Sequence, residues 1–317
     1  MLGVKKIKIA IISDIHGNYP ALLAVIKDAI NNKVDKFIFA GDYIFDLAYP
    51  NEVTELIRSM DNAFIIQGNK EGYLKKLSAE NQCNWNFDQM GAVHQTYRDL
   101  KQENLTYLMN LSENCFITLP FHGRIYVTHY IRGLFGEQKR TGCSSSRFKK
   151  DMEKQPFSHE QFLTNVERML KENDAYKVIM DIDAPVIILG HSHLQWNVHC
   201  KDKLIINPGS CGQPLDFNVM ASYTILEDTE FSLNVEEKRV HYDIEQTISF
   251  SKTTEIYKRG KIWCELVFLA MRTGADHFSD FFKLAQSIAK ERNDTSQFFS
   301  NEVWHSASRV FFERIGI

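Results

Sequence analysis

The chain has 317 residues, with 37 basic and 40 acidic side chains for a net charge of −3, and 44% of its residues are hydrophobic. Length and apolar content are those of a globular protein with two domains, or one large domain with an appendage, which excludes disordered, collagen-like and coiled-coil classes. The near balance of charge gives no sign of a protein that coats long nucleic acids, so any phosphate chemistry must be local.

The first apolar run predicts a buried strand and no targeting segment. It spans residues 7–13 and passes directly into Asp14 and His16, whereas a secretory signal would stay apolar for longer and end in small residues. No apolar run reaches the roughly 18 residues of a membrane span. The six cysteines are scattered without a C-x-x-C pair, which predicts free thiols. We therefore expect a cytoplasmic protein that does not bind membranes.

Short runs rich in Ile, Val and Phe recur along the chain at the length of buried strands. The predicted strands span residues 7–13, 36–40, 64–67, 124–128, 185–189 and 203–206, with helices at 20–31 and 51–60 between the early ones. Alternating segments at 221–226, 230–235 and 238–242 are predicted to be antiparallel strands that complete a second sheet. This succession predicts a layered α/β fold.

Each of the six early strands ends in a polar cluster. The clusters are Asp14-Ile15-His16-Gly17-Asn18, Gly41-Asp42, Gly68-Asn69, His129, Gly190-His191-Ser192-His193 and Asn207-Pro208-Gly209-Ser210. Taken singly, each has an ordinary interpretation as a turn or a surface histidine. Strand ends can converge at one crevice in layered α/β proteins, however, and the ordered set of carboxylate, amide and imidazole groups predicts a metal site there.

The order D-x-H, G-D, G-N, H and G-H-x-H resembles the calcineurin-like metallophosphoesterase superfamily. The start SDIHGN and the later NPGS are similar to its compact prokaryotic phosphodiesterase branch. The resemblance covers about residues 7–242 and is specific for the superfamily but not for a substrate. It implies a four-layer α/β/β/α sandwich of two mixed β-sheets flanked by helices.

The resemblance also implies a centre of two divalent metal ions with a bridging hydroxide as the nucleophile. One ion would bind Asp14, His16 and His193, the other Asn69, His129 and His191, and Asp42 would bridge them. Asp42, Asn69 and His129 are accordingly predicted to be catalytic. Imidazole and carboxylate ligands favour Mn²⁺, Fe, Zn²⁺ or Ni²⁺ over Ca²⁺, and the resemblance implies Mn²⁺ as the usual activator.

Lys70 departs from the superfamily pattern. Many members have a histidine at this position that protonates the leaving group, and a lysine with an ordinary pKa near 10.4 is a poor acid at pH 7. A phosphate clamp or a solvent-facing side chain is favoured over proton transfer, and the enzyme should prefer leaving groups that need little protonation. If Lys70 is the acid, Lys70→Ala should slow alkyl esters more than p-nitrophenyl esters.

Three further polar residues have two interpretations of equal weight. Asn18, Asn207 and Ser210 could bind the substrate phosphate or hold the metal ligands in place. They could instead serve turn geometry alone, because N-P-G-S is also a good turn sequence.

The predicted domains are a catalytic domain at residues 1–243 and a C-terminal helical extension at 244–317. The catalytic domain carries a helical insertion at about 72–112, whose Trp85, Phe87 and Tyr97 could stack on a base or form core. A basic insertion at about 132–183 could be a lid or a solvated loop, and its basic residues are Arg132, Lys139, Arg140, Arg147, Lys149, Lys150 and Lys154. Packing on the catalytic domain is the favoured role of the extension, with a homodimer contact next.

The sequence therefore predicts a dinuclear phosphoesterase. Its substrate would be a phosphodiester, a small phosphomonoester or a nucleotide, and the resemblance extends this to dinucleoside polyphosphates. The alternative is a catalytically silent metal-binding scaffold of the same fold that serves as an interaction module.

Overall fold

The computed structural model describes residues 5–134 and 143–316, which form ten strands and thirteen α-helices. The first sheet has the order β10-β9-β1-β2-β3. Its strands are β1 (Ile7–Ile12), β2 (Lys36–Phe39), β3 (Ala63–Ile65), β9 (Ala221–Asp228) and β10 (Leu233–Val240). Strands β1, β2 and β3 are parallel, whereas β9 is antiparallel to β1 and to β10.

The second sheet has the order β4-β5-β6-β8-β7. Its strands are β4 (Asn114–Thr118), β5 (Arg124–Thr128), β6 (Val186–Ile188), β7 (Gln195–Cys200) and β8 (Lys203–Pro208). Strands β5, β6 and β8 are parallel, and the two outer strands are antiparallel to their neighbours. Both sheets are therefore mixed, and the predicted α/β fold class is confirmed.

The thirteen helices flank the two sheets. They are α1 (Tyr19–Asn31), α2 (Pro50–Arg58), α3 (Asn69–Ala79), α4 (Gly91–Asp99), α5 (Gln102–Met109), α6 (Ser145–Lys154), α7 (His159–Glu172), α8 (Ala175–Asp181), α9 (Ile244–Ser251), α10 (Glu255–Arg259), α11 (Lys261–Thr273), α12 (Phe278–Glu291) and α13 (Asn301–Ile315). None of the described helices is long and apolar enough to cross a membrane.

One core cluster lies between the two sheets. Ile11 of β1 and Ile38 of β2 pack in one cluster with Val127 of β5 and Ile188 of β6. A second cluster packs α1 and α2 on the outer face of the first sheet, and a third packs α7 and α8 on the outer face of the second. Strands buried on both faces explain the nearly continuous apolar runs seen in the sequence.

Two expectations about strands were wrong. The segments at 221–242 do not complete the second sheet: they form β9 and β10 of the first sheet, where Ile9 of β1 pairs with Leu226. The two segments predicted at 230–242 are a single strand. Strands β4 and β7 were not predicted, because Asn114 and Thr118 are exposed in β4, and Gln195 and Asn197 make β7 look like a loop.

The basic insertion forms α6, α7 and α8. Lys139 and Arg140 lie outside the described residues. Lys149 is buried and lies 2.7 Å from Asp280 of α12, and Arg147 lies 3.2 Å from Asp151. These two cations are therefore used within the fold rather than held ready for a ligand.

The C-terminal helices pack on the catalytic part of the chain. Phe268 and Ile248 share a core cluster with Leu47, from the loop after β2, and with Ala92 of α4. Helices α11, α12 and α13 form a further core around Phe281 and Trp304. This packing brings α11 and α12 to the edge at which the strand-end motifs meet.

All six cysteines are free, as predicted.

Candidate metal centre

Five of the seven predicted ligands have a left-handed backbone. The φ angles are 54° at Asp14, 53° at His16, 58° at Asp42, 71° at His191 and 59° at His193. Positive φ is uncommon for residues with a side chain and costs about 1–2 kcal/mol each. It occurs here because each strand must turn sharply at its carboxyl end to aim the next polar side chain across the edge of the sheets.

Two glycines allow the loops to approach each other. A Cβ at Gly190 would lie 2.7 Å from Nδ1 of His129, and a Cβ at Gly68 would lie 2.9 Å from Cγ of Asp42. Both separations are shorter than real Cβ contacts, so larger residues would push the ligands apart. The glycines beside the motifs are therefore needed for close packing of the site.

The ligands form two clusters, each with ligand atoms that lie within 4.8 Å of one another. The first is Asp14, His16 and His193, and the second is Asp42, His129 and His191. In the first, Nε2 of His16 and Nε2 of His193 are 3.1 Å apart, and Nε2 of His193 is 3.3 Å from Oδ1 of Asp14. These groupings correspond to the two ligand sets that the sequence predicts.

Asp42 belongs to the second cluster and also faces the first. Its Oδ2 is 3.4 Å from Nε2 of His129 and 3.9 Å from Nε2 of His16. Asn69 begins helix α3 and completes the second cluster, with Oδ1 3.1 Å from Nε2 of His129 and 2.7 Å from Nδ1 of His191. The position of Asp42 is the one that a bridging carboxylate would need.

Three of the four histidines are held through their outer ring nitrogen. Nδ1 of His129 lies 2.7 Å from the carbonyl oxygen of Ala40, and Nδ1 of His193 lies 2.7 Å from that of Gln213. Nδ1 of His16 lies 2.8 Å from Oδ2 of Asp46. An acceptor at Nδ1 places the proton there and leaves Nε2 with a lone pair, as a metal ligand requires. The donor set therefore fits divalent cations.

The carboxylates and histidines of the centre shift one another's pKa values. Burial alone would lower the pKa of His129, but Asp42 and Asp14 outweigh it and raise that pKa to about 10. Burial also opposes the charge of His16, yet Asp14 and Asp46 raise its pKa to about 9. Burial would raise the pKa of Asp42, but His129 lowers it to about 2. Without metal ions, two protonated imidazoles thus offset part of the negative charge of the carboxylates.

Comparison with known proteins identifies the family. Residues 7–195 match the family described as calcineurin-like phosphoesterase, and this match covers more than half of the chain. The chain belongs to that family. This is a family of divalent-metal-dependent phosphoester hydrolases, as the resemblance implied.

Other relatives agree with this assignment of the fold. A metallophosphoesterase from Sphaerobacter thermophilus has a TM-score of 0.60 at 24% identity, over 86% of this chain and 100% of that one. A hypothetical protein from Pyrococcus horikoshii OT3 has a TM-score of 0.52 at 19% identity, over 81% of this chain and 97% of that one. An uncharacterized protein of Methanocaldococcus jannaschii is 29% identical over 259 residues, which cover 76% of this chain and 90% of the relative.

Asp46 is a residue of this phosphoesterase that the motifs did not indicate. It is 3% exposed and contacts three groups: His16, the ammonium of Lys70 at 3.5 Å, and Nε1 of Trp263, which donates a 2.7 Å hydrogen bond to Oδ1. Burial would raise its pKa, but Lys70 and His16 hold the pKa well below the usual value. Asp46 is therefore an anion that joins a predicted ligand to the C-terminal helices.

Glu71 has a comparable role on the other side of the centre. It is fully buried, and its carboxylate accepts hydrogen bonds from the backbone N–H groups of Gly68, Asp42 and Tyr43 at 2.7, 3.0 and 2.8 Å. It thereby fixes the loop after β2 to the start of α3. The sequence contains one weak indication of this role, because a Glu three residues after Gly68 is typical of a helix N-terminus.

Asn18, Asn207 and Ser210 lie behind the centre and are fully buried. Asn207 donates hydrogen bonds to the carbonyl of Gly190 at 2.7 Å and to Oγ of Ser192 at 3.0 Å. Ser210 donates to the carbonyl of Asp14 at 2.6 Å, and Asn18 donates to that of Gly212 at 2.8 Å. Between the two functional roles considered for these residues, these contacts favour positioning of the ligand loops over contact with a substrate.

The centre opens into a cleft of about 500 Å³. Lys70 lines it and is 20% exposed, so its ammonium can reach a ligand there. Burial would lower the pKa of Lys70, but Asp46 and Asp42 raise that pKa above its usual value. The cation is therefore more firmly protonated than a free lysine, which disfavours a role as general acid.

The far wall of the cleft comes from the C-terminal helices and the basic insertion. Trp263 of α11 and Phe278, Phe282 and Lys283 of α12 line it, together with Ser145 at the start of α6. The extension thus borders the centre although it carries no motif.

Trp85, Phe87 and Tyr97 of the helical insertion do not line the cleft. Trp85 stacks on His94 at 4.1 Å with Tyr97 at its edge, and Phe87 packs on Phe298.

Proposed function

We propose that this calcineurin-like phosphoesterase hydrolyses phosphodiesters or small phosphomonoesters, including nucleotides, at a centre of two divalent metal ions, with Mn²⁺ as the preferred activator. The observation that supports this is the pair of ligand clusters, with Asp42 of the second cluster also facing His16 of the first. Two cations held in this way would lower the pKa of a shared water and stabilise the charge that develops on a phosphoryl group.

Groups of the protein hold three of the predicted metal ligands in a fixed orientation. The acceptors at Nδ1 of His16, His129 and His193 keep three Nε2 atoms aimed at the interior of the centre. Fixed donors and acceptors stabilise a transition state without reorganising, because their positions are set when the protein folds.

Lys70 supplies a cation at the mouth of the centre. Its raised pKa makes it a clamp for a phosphate oxygen rather than a donor of protons. With Lys70 as a clamp, the leaving group must depart without a lysine proton, which favours esters with acidic leaving groups such as aryl esters and phosphoanhydrides.

The experiment that tests the proposal is hydrolysis of bis-p-nitrophenyl phosphate with Mn²⁺, Fe²⁺, Zn²⁺ or Ni²⁺ added to metal-free protein. We expect turnover to require metal and to be abolished in Asp42→Ala and His191→Ala. His199→Ala is the matched control, because His199 is a solvent-facing histidine of the same sheet. Absence of turnover with every metal would favour the alternative, a catalytically silent scaffold. The cytoplasmic location and the homodimer through the C-terminal helices stay predictions.

A further inference from the structure

A second cavity lies directly beside the cleft of the metal centre. Its volume is about 440 Å³, and we call it the side cavity. It shares four wall residues with the cleft, namely Asp46, Lys70, Trp263 and Phe282. The two cavities are therefore direct neighbours, and a ligand held at the metal centre needs to extend only past these four residues to reach the side cavity.

The lining of the side cavity combines flat apolar groups with amides. Tyr73, Met90, Val93 and Phe298 provide aromatic and apolar surface, and Gln89 and Gln297 provide amide groups. Tyr73 is 44% exposed, so part of this residue is open to a ligand. Lys76 lies over that ring at 5.5 Å from its centroid and adds a positive charge at the same wall.

This composition indicates which part of a phosphate ester the side cavity would bind. A sugar alone would leave the aromatic and apolar surface without a partner, and an alkyl chain would leave the amides without one. A nucleobase satisfies both, because its faces stack on rings while its edge pairs with amides. Lys70 stands between the two spaces, where a phosphate that links them would lie.

We propose that the side cavity binds the nucleoside portion of a nucleotide whose phosphate lies at the metal centre. This inference rests on the proposed function and narrows its substrate class. It assigns base recognition to α3, to α4 with the turn before it, and to the C-terminal helices with the loop between α12 and α13. Trp85 and Tyr97 are packed against other residues and do not line the cavity.

The test is the affinity of the Mn²⁺-loaded protein for two phosphonates that it cannot hydrolyse. One is methylphosphonate, which offers only a head group for the centre. The other is the phosphonate analogue of AMP in which a methylene replaces the 5′ oxygen. Titration calorimetry on both gives the ratio of the two dissociation constants. We expect the AMP analogue to bind at least about tenfold more tightly than methylphosphonate, since one stacked base contributes about that much.

Two variants of the lining should reduce this ratio. Val93→Trp fills the side cavity from α4, where Val93 is half-buried, and Tyr73→Ala removes the exposed ring. We expect both to bring the ratio close to one. Val178→Trp is the matched control, because Val178 is exposed on α8, away from both cavities, and should leave the ratio as in the wild type.

Each other outcome contradicts the inference. Equal affinity of the wild type for both phosphonates, or a ratio unchanged in Val93→Trp, would overturn the nucleoside site and leave the proposed function standing. Tighter binding of octylphosphonate than of the AMP analogue would assign the cavity to an alkyl chain instead. Binding of none of the three would overturn the proposed function together with the nucleoside site.

Discussion

Replacing Asp46 by Asn should weaken metal binding although Asp46 is not a predicted ligand. The carboxylate faces two donors at once, with Oδ2 2.8 Å from Nδ1 of His16 and Oδ1 2.7 Å from Nε1 of Trp263. An asparagine has only one acceptor oxygen, so its NH₂ group must face one of these N–H groups. The ammonium of Lys70, 3.5 Å away, loses its counter-ion as well.

The size of the effect follows from burial. His16 and Asp46 are 2% and 3% exposed, so water cannot replace the lost acceptor. Loss of the partner of a metal-binding histidine lowers metal affinity about 10–100-fold. We therefore expect Asp46→Asn to raise the dissociation constant for Mn²⁺ by about that factor.

The assay is competition between the protein and a fluorescent chelator for Mn²⁺. Asp276→Asn is the matched control, since Asp276 is a buried carboxylate of the same cleft whose partners are Ser145 and Ser279. Trp263→Phe removes one of the competing donors, so the double variant Asp46→Asn/Trp263→Phe should regain part of the lost affinity. Equal Mn²⁺ affinity in Asp46→Asn and Asp276→Asn would refute this reasoning.

Three further measurements bear on the charges of the protein. Because the pKa of Lys70 is raised, Lys70→Ala should slow alkyl and p-nitrophenyl esters by the same factor, and a larger loss on alkyl esters would restore the general-acid role. The pKa values of His16 and His129 are about 9 and 10, so Mn²⁺ binding should release about two protons at pH 7, and the affinity for Mn²⁺ should increase as the pH rises. Calorimetry in buffers of different ionisation enthalpy measures the number of protons released. Absence of proton release would contradict this expectation. Burial lowers the pKa of His94 to about 4, so the unfolded chain takes up a proton first and stability should fall by up to about 3 kcal/mol from pH 6.5 to pH 4. His94→Phe should keep the stack on Trp85 and show a smaller loss in thermal unfolding over that range.

The sequence was sufficient to predict the fold class and where the ligand motifs would meet. Asp14, Asp42 and His191 lie within three residues of the ends of their strands. The carboxyl ends of strands in this fold meet at one edge, so position along the chain translated into position in space. The same argument placed β9 in the wrong sheet, because alternation along a strand does not show which strand it pairs with.

Asp46 and Trp263 show what the sequence could not supply. They are 217 positions apart, and neither belongs to a motif, so their contact arises from the docking of α11. The side chains of Asn18, Asn207 and Ser210 show the converse case. Residue type suited them to a phosphate, but backbone carbonyls behind the centre use their donors. Tertiary packing decided the role of all five residues.

The left-handed backbone of the ligands bears on how variants of this protein should be interpreted. Alanine at Asp14 or His193 would remove a ligand atom and keep the unfavourable φ, whereas glycine would remove both. A glycine variant could therefore melt at a higher temperature than the metal-free wild type while being unable to bind metal. Thermal stability and function would then move in opposite directions, so a screen that selects for heat resistance alone would favour loss of the centre.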